Sequence, residues 1–393
     1  MLNECGEKLS ADTNAASCFV QQFRGLVEEE ELCHHQIFNA DETGLYFRML
    51  PRKTLAAHFE TSVSGRKKQM ERVTLNICAN ASGSIKLPLQ LIAKSAKPRC
   101  FKGIDVNSLP VHYCSQKNAW MNCTIFKSWF FGKFVPIVTL RLKELGLPVR
   151  AILLLDNCSA HPEESELITE DGCIRATFLP PNVTSLIQPM DQGVIESVKR
   201  LYRRRMCEKM LIADEDGATI VGFLKSLNLL DVVHMVAKSW DDIAPGAVQR
   251  SWNAIFGKET APEAPDDSLT CNIVRLFGAM QLSESINATE VTSWLQSDVG
   301  VQGHEHLSEE AIIESFHSNA VDDSDQSSDE EEPPTVPHAV AMRAFDTCTL
   351  WLRQQNEFTE ASYQSLQSLK ELAAKKRIDA TIQTKIDSFF NRQ

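Results

Sequence analysis

Residues 151–156 read AILLLD. Five apolar residues without an interruption form a strand buried on both faces, the kind found inside a parallel sheet covered by helices. The strand then delivers a carboxylate, Asp156, into a polar turn, NCSAHP (157–162). An acid at that position caps a loop or helix start, or belongs to a site, and this stretch alone leaves both readings open.

The surrounding pattern supplies the rest of the sheet. HQIFNAD (35–41) is a short strand ending on Asp41. RVTLNICAN (72–80) and IKLPLQLIA (85–93) are β-rich runs joined by Ala81-Ser82-Gly83-Ser84, a hairpin with a glycine-containing loop. Between Thr124 and Leu145 the apolar residues Phe126, Trp129, Phe130, Phe134, Ile137, Val138 and Leu145 keep helical spacing, with Pro136 expected to kink the helix. ATFLPP (176–181) is a strand stopped by prolines, and GVIESVKRLYRRRMCEKML (193–211) reads as a helix. The order strand, hairpin, helix, buried strand, strand, helix specifies an α/β sheet with a hairpin contribution.

Around that core, residues 1–34 read as a helical lead-in carrying Phe19, Phe23 and Val27. Residues 35–211 read as the α/β domain, and 212–257 as a helical extension with Trp240 and Trp252 as packing anchors. Residues 258–340 read as an acidic disordered linker. Its run DDSDQSSDEEEPP (322–334) has seven acids and no base, so it cannot bury a core. Serines 324, 327 and 328 within it are candidates for phosphorylation, which would add charge. Residues 341–393 regain helical periodicity.

Charge is segregated along the chain. The net charge of −12 argues against a nucleic-acid binder if read as an average. There is no apolar run of about 18 residues, so no membrane span is expected, and the start shows no signal peptide. Twelve cysteines without a CxxC pair argue for buried thiols in a reducing compartment rather than a disulfide framework or zinc ribbon.

Asp156 has two counterparts. Asp41 closes the first strand in FNADETG, and Asp191 opens the last helix in LIQPMDQGV. Two strand-end acids on neighbouring strands, with a third from a helix packed on the sheet, can converge on one point. Their mutual repulsion raises their pKa values unless a divalent cation intervenes. Mg²⁺ (or Mn²⁺) fits such oxygen ligands, and two ions about 3.5–4 Å apart serve phosphoryl transfer.

NADETGL (39–45), LLLDNCSAH (153–161) and FLPPNVTSLIQPMDQGVIESVKRLYRR (178–204) closely resemble the DDE transposases of the pogo, Tigger and jerky branch of the mariner superfamily. KTLA near 53, LNICANASG near 75, SAKPRCFK near 95, NAWMN at 118 and WFFGKFVP at 129 fit the same pattern. The resemblance covers about residues 5–260. It implies an RNase H-like fold with Asp41, Asp156 and Asp191 as the catalytic, metal-binding triad, DNA as partner, and a nuclear protein able to form a homodimer. Family members carry two helix-turn-helix modules before the catalytic domain, and these are expected to be missing here. Two functions follow as alternatives: a metal-dependent DNA endonuclease and strand-transfer domain, or a domesticated, catalytically silent DNA-binding or chromatin-associated protein. A truncated gene product without function is a third.

Several residues stand beside the triad. His161 lines the site in the resemblance and is a loop histidine otherwise. Asn157 reads as a turn or cap residue. Gln188 and Gln192 flank Asp191 and contact either a phosphate or only backbone. Lys199, Arg200, Arg203, Arg204 and Arg205 are expected to contact the DNA backbone from the helix that carries Asp191. Arg66, Lys67 and Lys68, and then Lys94, Lys97, Arg99 and Lys102, are further basic clusters. The tail reads QTKIDSFF (383–390). Gln383, Ile386, Phe389 and Phe390 have the spacing of the box that binds the replication sliding clamp, an apolar plug from one helical turn with a glutamine beside it.

Overall fold

The computed structural model describes residues 12–51, 71–257, 268–280, 286–297, 301, 303, 336–355, 359 and 362–376. The chain divides into two compact units, Met1–Asp323 and Ser324–Gln393.

The first unit is built on a six-stranded sheet: β1 (Ile37–Tyr46), β2 (Arg72–Asn80), β3 (Gln90–Ala93), β4 (His112–Ser115), β5 (Ala151–Leu155) and β6 (Ile174–Phe178), in the order β4-β3-β2-β1-β5-β6. β1, β2 and β3 run antiparallel in sequence, while β5 lies parallel to β1 and β6 parallel to β5. Three antiparallel strands followed by two strands parallel to the first is the RNase H-like arrangement. β4 widens it, pairing in parallel with β3. That strand is too short and mixed in composition to read from periodicity.

β5 shows why its sequence is apolar throughout. Ala151, Leu153 and Leu155 face one cluster, with Phe38, Ala40 and the long helix α2 (Cys123–Glu144). Ile152 and Leu154 face another, with Ile37, Trp252, Ile255 and the helix α1 (Thr13–Glu29). Successive residues point to opposite faces, so a strand covered on both sides has no polar position to spare.

α2 packs Phe126, Trp129, Phe130, Phe134, Val138 and Leu142 against the sheet. By length and composition it would also be able to cross a membrane. That face is in the core, however, and Lys127, Arg141, Lys143 and Glu144 lie on its exposed side. The expected kink at Pro136 takes the form of a wide turn over Phe130–Phe134, where the Val135 N–H reaches the Phe130 carbonyl. Pro136 falls at the start of the following segment, where its missing N–H costs least.

On the opposite face, α3 (Ile195–Glu215) buries Val198, Tyr202, Met206 and Met210 at helical spacing. The extension continues with α4 (Ile220–Ser226) and α5 (Leu229–Asp241), followed by short helical segments at Pro245–Ser251 and Asn253–Phe256. α5 starts from a capping box between Asn228 and Asp231, and Trp240 Nε1 donates to the Leu87 carbonyl at 2.7 Å.

The expectation of a disordered linker over 258–340 is corrected for its described part. α6 (Ser268–Ala279) and α7 (Ala288–Leu295) bury Ile273, Phe277, Val291 and Trp294 in the same cluster as α3. The acidic average of the whole stretch hid two short apolar periodicities. The run 322–334 lies outside the described residues.

In the second unit, a helix at His338–Leu352 and another over 362–376 are tied by the Lys370–Asp346 ion pair. Arg353 also lies over the Tyr363 ring.

Candidate active site

β1 extends beyond β5, and this offset opens the site. The parallel register Ile37↔Ile152, Phe38↔Leu153, Asn39↔Leu154 ends where β5 ends. Asp156 follows the last residue of β5, near enough to Asp41 for its charge to act on that carboxyl. Asp41 is buried, and one of its oxygens accepts the Glu42 N–H at 2.8 Å.

Asp156 is held by His161. The imidazole Nδ1 lies 3.2 Å from Asp156 Oδ1 and 3.1 Å from its carbonyl oxygen, and Nε2 lies 3.1 Å from Glu42 Oε2. His161 and Glu42 are both buried, and the ring also packs on Phe126 at 4.4 Å. Burial alone would lower the histidine pKa. The neighbouring Glu42 carboxylate, with Asp156, instead raises it to about 9. His161 therefore stands as a buried cation between two carboxylates.

Asp191 sits in a turn just ahead of α3 rather than at its first residue. Gln192 and Gly193 depart from helical geometry, with Gly193 at φ 87°, a conformation that suits glycine. Asn39 anchors this turn to the sheet. Its amide donates to the Leu154 carbonyl and to Gln188 Oε1, both at 2.9 Å, and its oxygen accepts the Met190 N–H at 2.9 Å. Gln188 is fully buried and serves as scaffold. Gln192 and Asn157 are exposed, and Asn157 lines a cavity beside His161.

The acids bear on one another electrostatically. Burial raises the Asp41 pKa well above the usual carboxylate value, and the charges of Asp191, Asp156 and Glu42 raise it further. A hard divalent cation fits this donor set, because it brings positive charge to oxygen ligands whose ionised forms are otherwise disfavoured. Asp41, Asp156 and Asp191 would hold it.

The expectation for the basic helix is corrected. Lys199 and Arg203 are buried, and Arg203 donates to the Met49 carbonyl at 2.6 Å and stacks over Trp294. Arg200 pairs with Glu196 and reaches Thr270, Arg204 pairs with Glu208, and Arg205 pairs with Asp242. Their long stems cover the seam between α3 and its neighbours, so these side chains are engaged within the fold. Lys94, Lys97, Arg99 and Lys102 are exposed. Arg66, Lys67, Lys68, Gln383, Ile386, Phe389 and Phe390 lie outside the described residues.

Sequence reasoning missed Asn39 and Glu42. Asn39 lies two residues before Asp41, hence on the same face of a buried strand, and a polar residue there is a signal for a structural anchor. Glu42 lies in DETG but needed the position of His161 to acquire a role. A third feature had no local signal. Beyond β5 the open edge of β1 is met by residues 301 and 303. Gly44 N–H donates to the Val301 carbonyl, and Met121 N–H to the Gly303 carbonyl, both at 3.0 Å. A Cβ on Gly303 would fall 2.4 Å from Glu42 Cβ, so only glycine fits against the β1 backbone at Glu42.

Comparison with known proteins bears on the family of the chain. Residues 70–252 match the family described as DDE superfamily endonuclease, a span that contains Asp156 and Asp191 and begins after Asp41. The human Tigger transposable element-derived protein 7 is 37% identical over 268 residues, covering 65% of this chain and 49% of that protein. The human jerky protein homolog is 38% identical over 257 residues, covering 65% of this chain and 43% of the relative. The mouse jerky protein is 37% identical over 264 residues, covering 67% and 44%. The chain thus spans about half the length of these relatives, or somewhat less. The solved Mos1 transposase paired-end complex with left transposon end aligns at a TM-score of 0.33 with 12% identity, over 72% of this chain and 65% of that one. By its motifs and these relatives, the chain belongs to the DDE superfamily, in the pogo, Tigger and jerky branch of transposase-derived proteins.

Proposed function

We propose that the first unit is a divalent-metal-dependent DNA endonuclease and strand-transfer domain with Asp41, Asp156 and Asp191 as its ligand triad. The observation that carries this reading is Asp41: a buried carboxyl whose ionisation is opposed by burial and by the charges of Asp191 and Asp156. A fold gains no stability from such a cluster; a cation shared by the three acids gives it a purpose. Bound there, divalent ions would supply activation of the attacking oxygen and charge stabilisation for the leaving one. The chain's own residues do the positioning. β1 fixes Asp41, His161 and Glu42 fix Asp156, and Asn39 fixes the turn that carries Asp191.

DNA is the partner in this reading, held without sequence readout by exposed cations such as Lys94, Lys97 and Lys102, so affinity is weak and strongly salt-dependent. Nuclear residence, self-association as a homodimer, and capture of the sliding clamp by residues 383–390 belong to the same proposal. The second reading, a domesticated protein that keeps the fold without cutting, is favoured by the inward-turned basic residues of α3.

Nicking of supercoiled plasmid in Mg²⁺ or Mn²⁺ separates the two. The first reading expects nicking that EDTA abolishes and that Asp41→Asn, Asp156→Asn and Asp191→Asn each remove. Metal binding without nicking supports the silent protein. Nicking that survives all three substitutions overturns the assignment.

A further inference from the structure

The turn after β5 presents a second kind of metal chemistry. Donor atoms of Asp156, Cys158 and His161 all lie within 4.8 Å of one another. A carboxylate oxygen, a thiol sulfur and an imidazole nitrogen form a mixed, partly soft donor set, which suits Zn²⁺ and poorly suits Mg²⁺. Zinc bonds of about 2.0–2.3 Å put tetrahedral donors roughly 3.3–3.8 Å apart, so the turn has to contract by about 1.5 Å at most. Cys158 and His161 also line a cavity of about 550 Å³, with Asn157, Glu163, Glu164 and Phe178. It offers an entry path and room for a fourth ligand.

The orientation of His161 makes the cluster more than a coincidence of residue types. Its Nε2 is held by the buried Glu42 carboxylate at 3.1 Å, and its Nδ1 is aimed at Asp156. A carboxylate behind the far nitrogen of the ring is the arrangement that fixes a metal-binding histidine, and loss of such a partner typically weakens metal binding about 10–100-fold. Glu42 is itself locked in place under Gly303.

We infer that Asp156, Cys158 and His161 form a transition-metal site of the zinc class, separate in chemistry from the hard-ion triad and sharing Asp156 with it. On binding, the Cys158 S–H bond breaks and a sulfur–metal bond forms, with the proton released to solvent. The His161 Nδ1 lone pair coordinates, and the proton now facing Asp156 leaves with the first. The ring keeps its Nε2 proton on Glu42. No oxidation state changes. Because Asp156 serves both sites, a soft ion here withdraws one carboxylate from the triad and makes the domain sensitive to zinc. The inference goes beyond the proposed nuclease and does not need it: binding is read without DNA or turnover.

The probe is Co²⁺, titrated into the full, reduced, chelator-treated chain. The site predicts a near-ultraviolet thiolate-to-cobalt charge-transfer band that Zn²⁺ abolishes and millimolar Mg²⁺ does not. Cys158→Ser should remove the band, Cys18→Ser should leave it, and Glu42→Gln should weaken Co²⁺ binding about 10–100-fold. Cys158 is only half-buried, so the serine variant is expected to fold, and circular dichroism checks it. Absence of the band in the parent chain, or its persistence in Cys158→Ser, overturns the inference.

Discussion

Replacing Asn39 by alanine tests how the third carboxylate is held. The Asn39 amide is fully buried and makes three hydrogen bonds of 2.9 Å: to the Leu154 carbonyl, to Gln188 Oε1, and from the Met190 N–H. Alanine leaves three polar partners without their bond in a dry environment, at about 1–1.5 kcal/mol each, or roughly 3–4.5 kcal/mol in all. With a urea slope of about 2–3 kcal/mol/M, the unfolding midpoint falls by about 1–2 M. Asn39→Asp should be no better. It keeps an acceptor for Met190 but loses both donors and adds a carboxylate beside Asp41. The consequence reaches beyond stability, because the Met190 bond ties down the turn that carries Asp191. Protease cutting within residues 188–194 should therefore rise in Asn39→Ala under conditions where the rest of the unit stays folded. A midpoint shift below about 0.4 M, or an unchanged cutting pattern, would refute the anchor argument.

The remaining predictions concern charge and the tail. Asp41 has a raised pKa in the fold, so its ionisation destabilises the fold once pH rises through that value, and the cost is absent below the unfolded value of 3.8. Asp41→Asn should then melt higher than the parent at pH 7 without metal and equally near pH 3, and only the parent should gain from added Mg²⁺. His161 behaves in the opposite sense. Its folded pKa of about 9 lies above the ordinary 6.5, so its stabilisation is complete below about 6.5 and is lost as pH rises through 9. Melting temperature measured from pH 6 to 10 should fall across that window, and His161→Gln should flatten the fall. For the tail, a peptide spanning Lys375–Gln393 should bind the sliding clamp in a direct titration. Phe389→Ala with Phe390→Ala should abolish binding, since aromatic anchors dominate such interfaces. Equal affinity of the double variant would remove the clamp from the partner list.

The strands that carry the acids are legible because each has a strong local cause. β5 is apolar at every position since both faces are covered, and β2 coincides with the run RVTLNICAN. β1 runs further than its apolar part suggests, to Tyr46, because Asp41, Glu42 and Thr43 pair with β2 through backbone bonds that take no notice of side-chain polarity. α6 and α7 were hidden by the acidic average around them. The basic residues of α3 misled for a related reason. A run of arginines looks the same whether it faces phosphate or covers a helix seam, and the carboxylates that pair with it, such as Asp242, come from distant elements. His161 sits within the quoted motif, yet its grip on Glu42 depends on the long-range approach of β1 to the turn after β5. Spacing within a motif does not contain that information.

The central claim is that Asp41, Asp156 and Asp191 share divalent ions. Mn²⁺ bound to the full chain can be counted by electron paramagnetic resonance, in the parent and in Asp41→Asn, Asp156→Asn and Asp191→Asn, with thermal melts checking that each variant folds. The account predicts two ions in the parent beyond any held by acids elsewhere, and loss of both or sharp weakening in all three variants. Mn²⁺ binding identical in the parent and the three variants would contradict it.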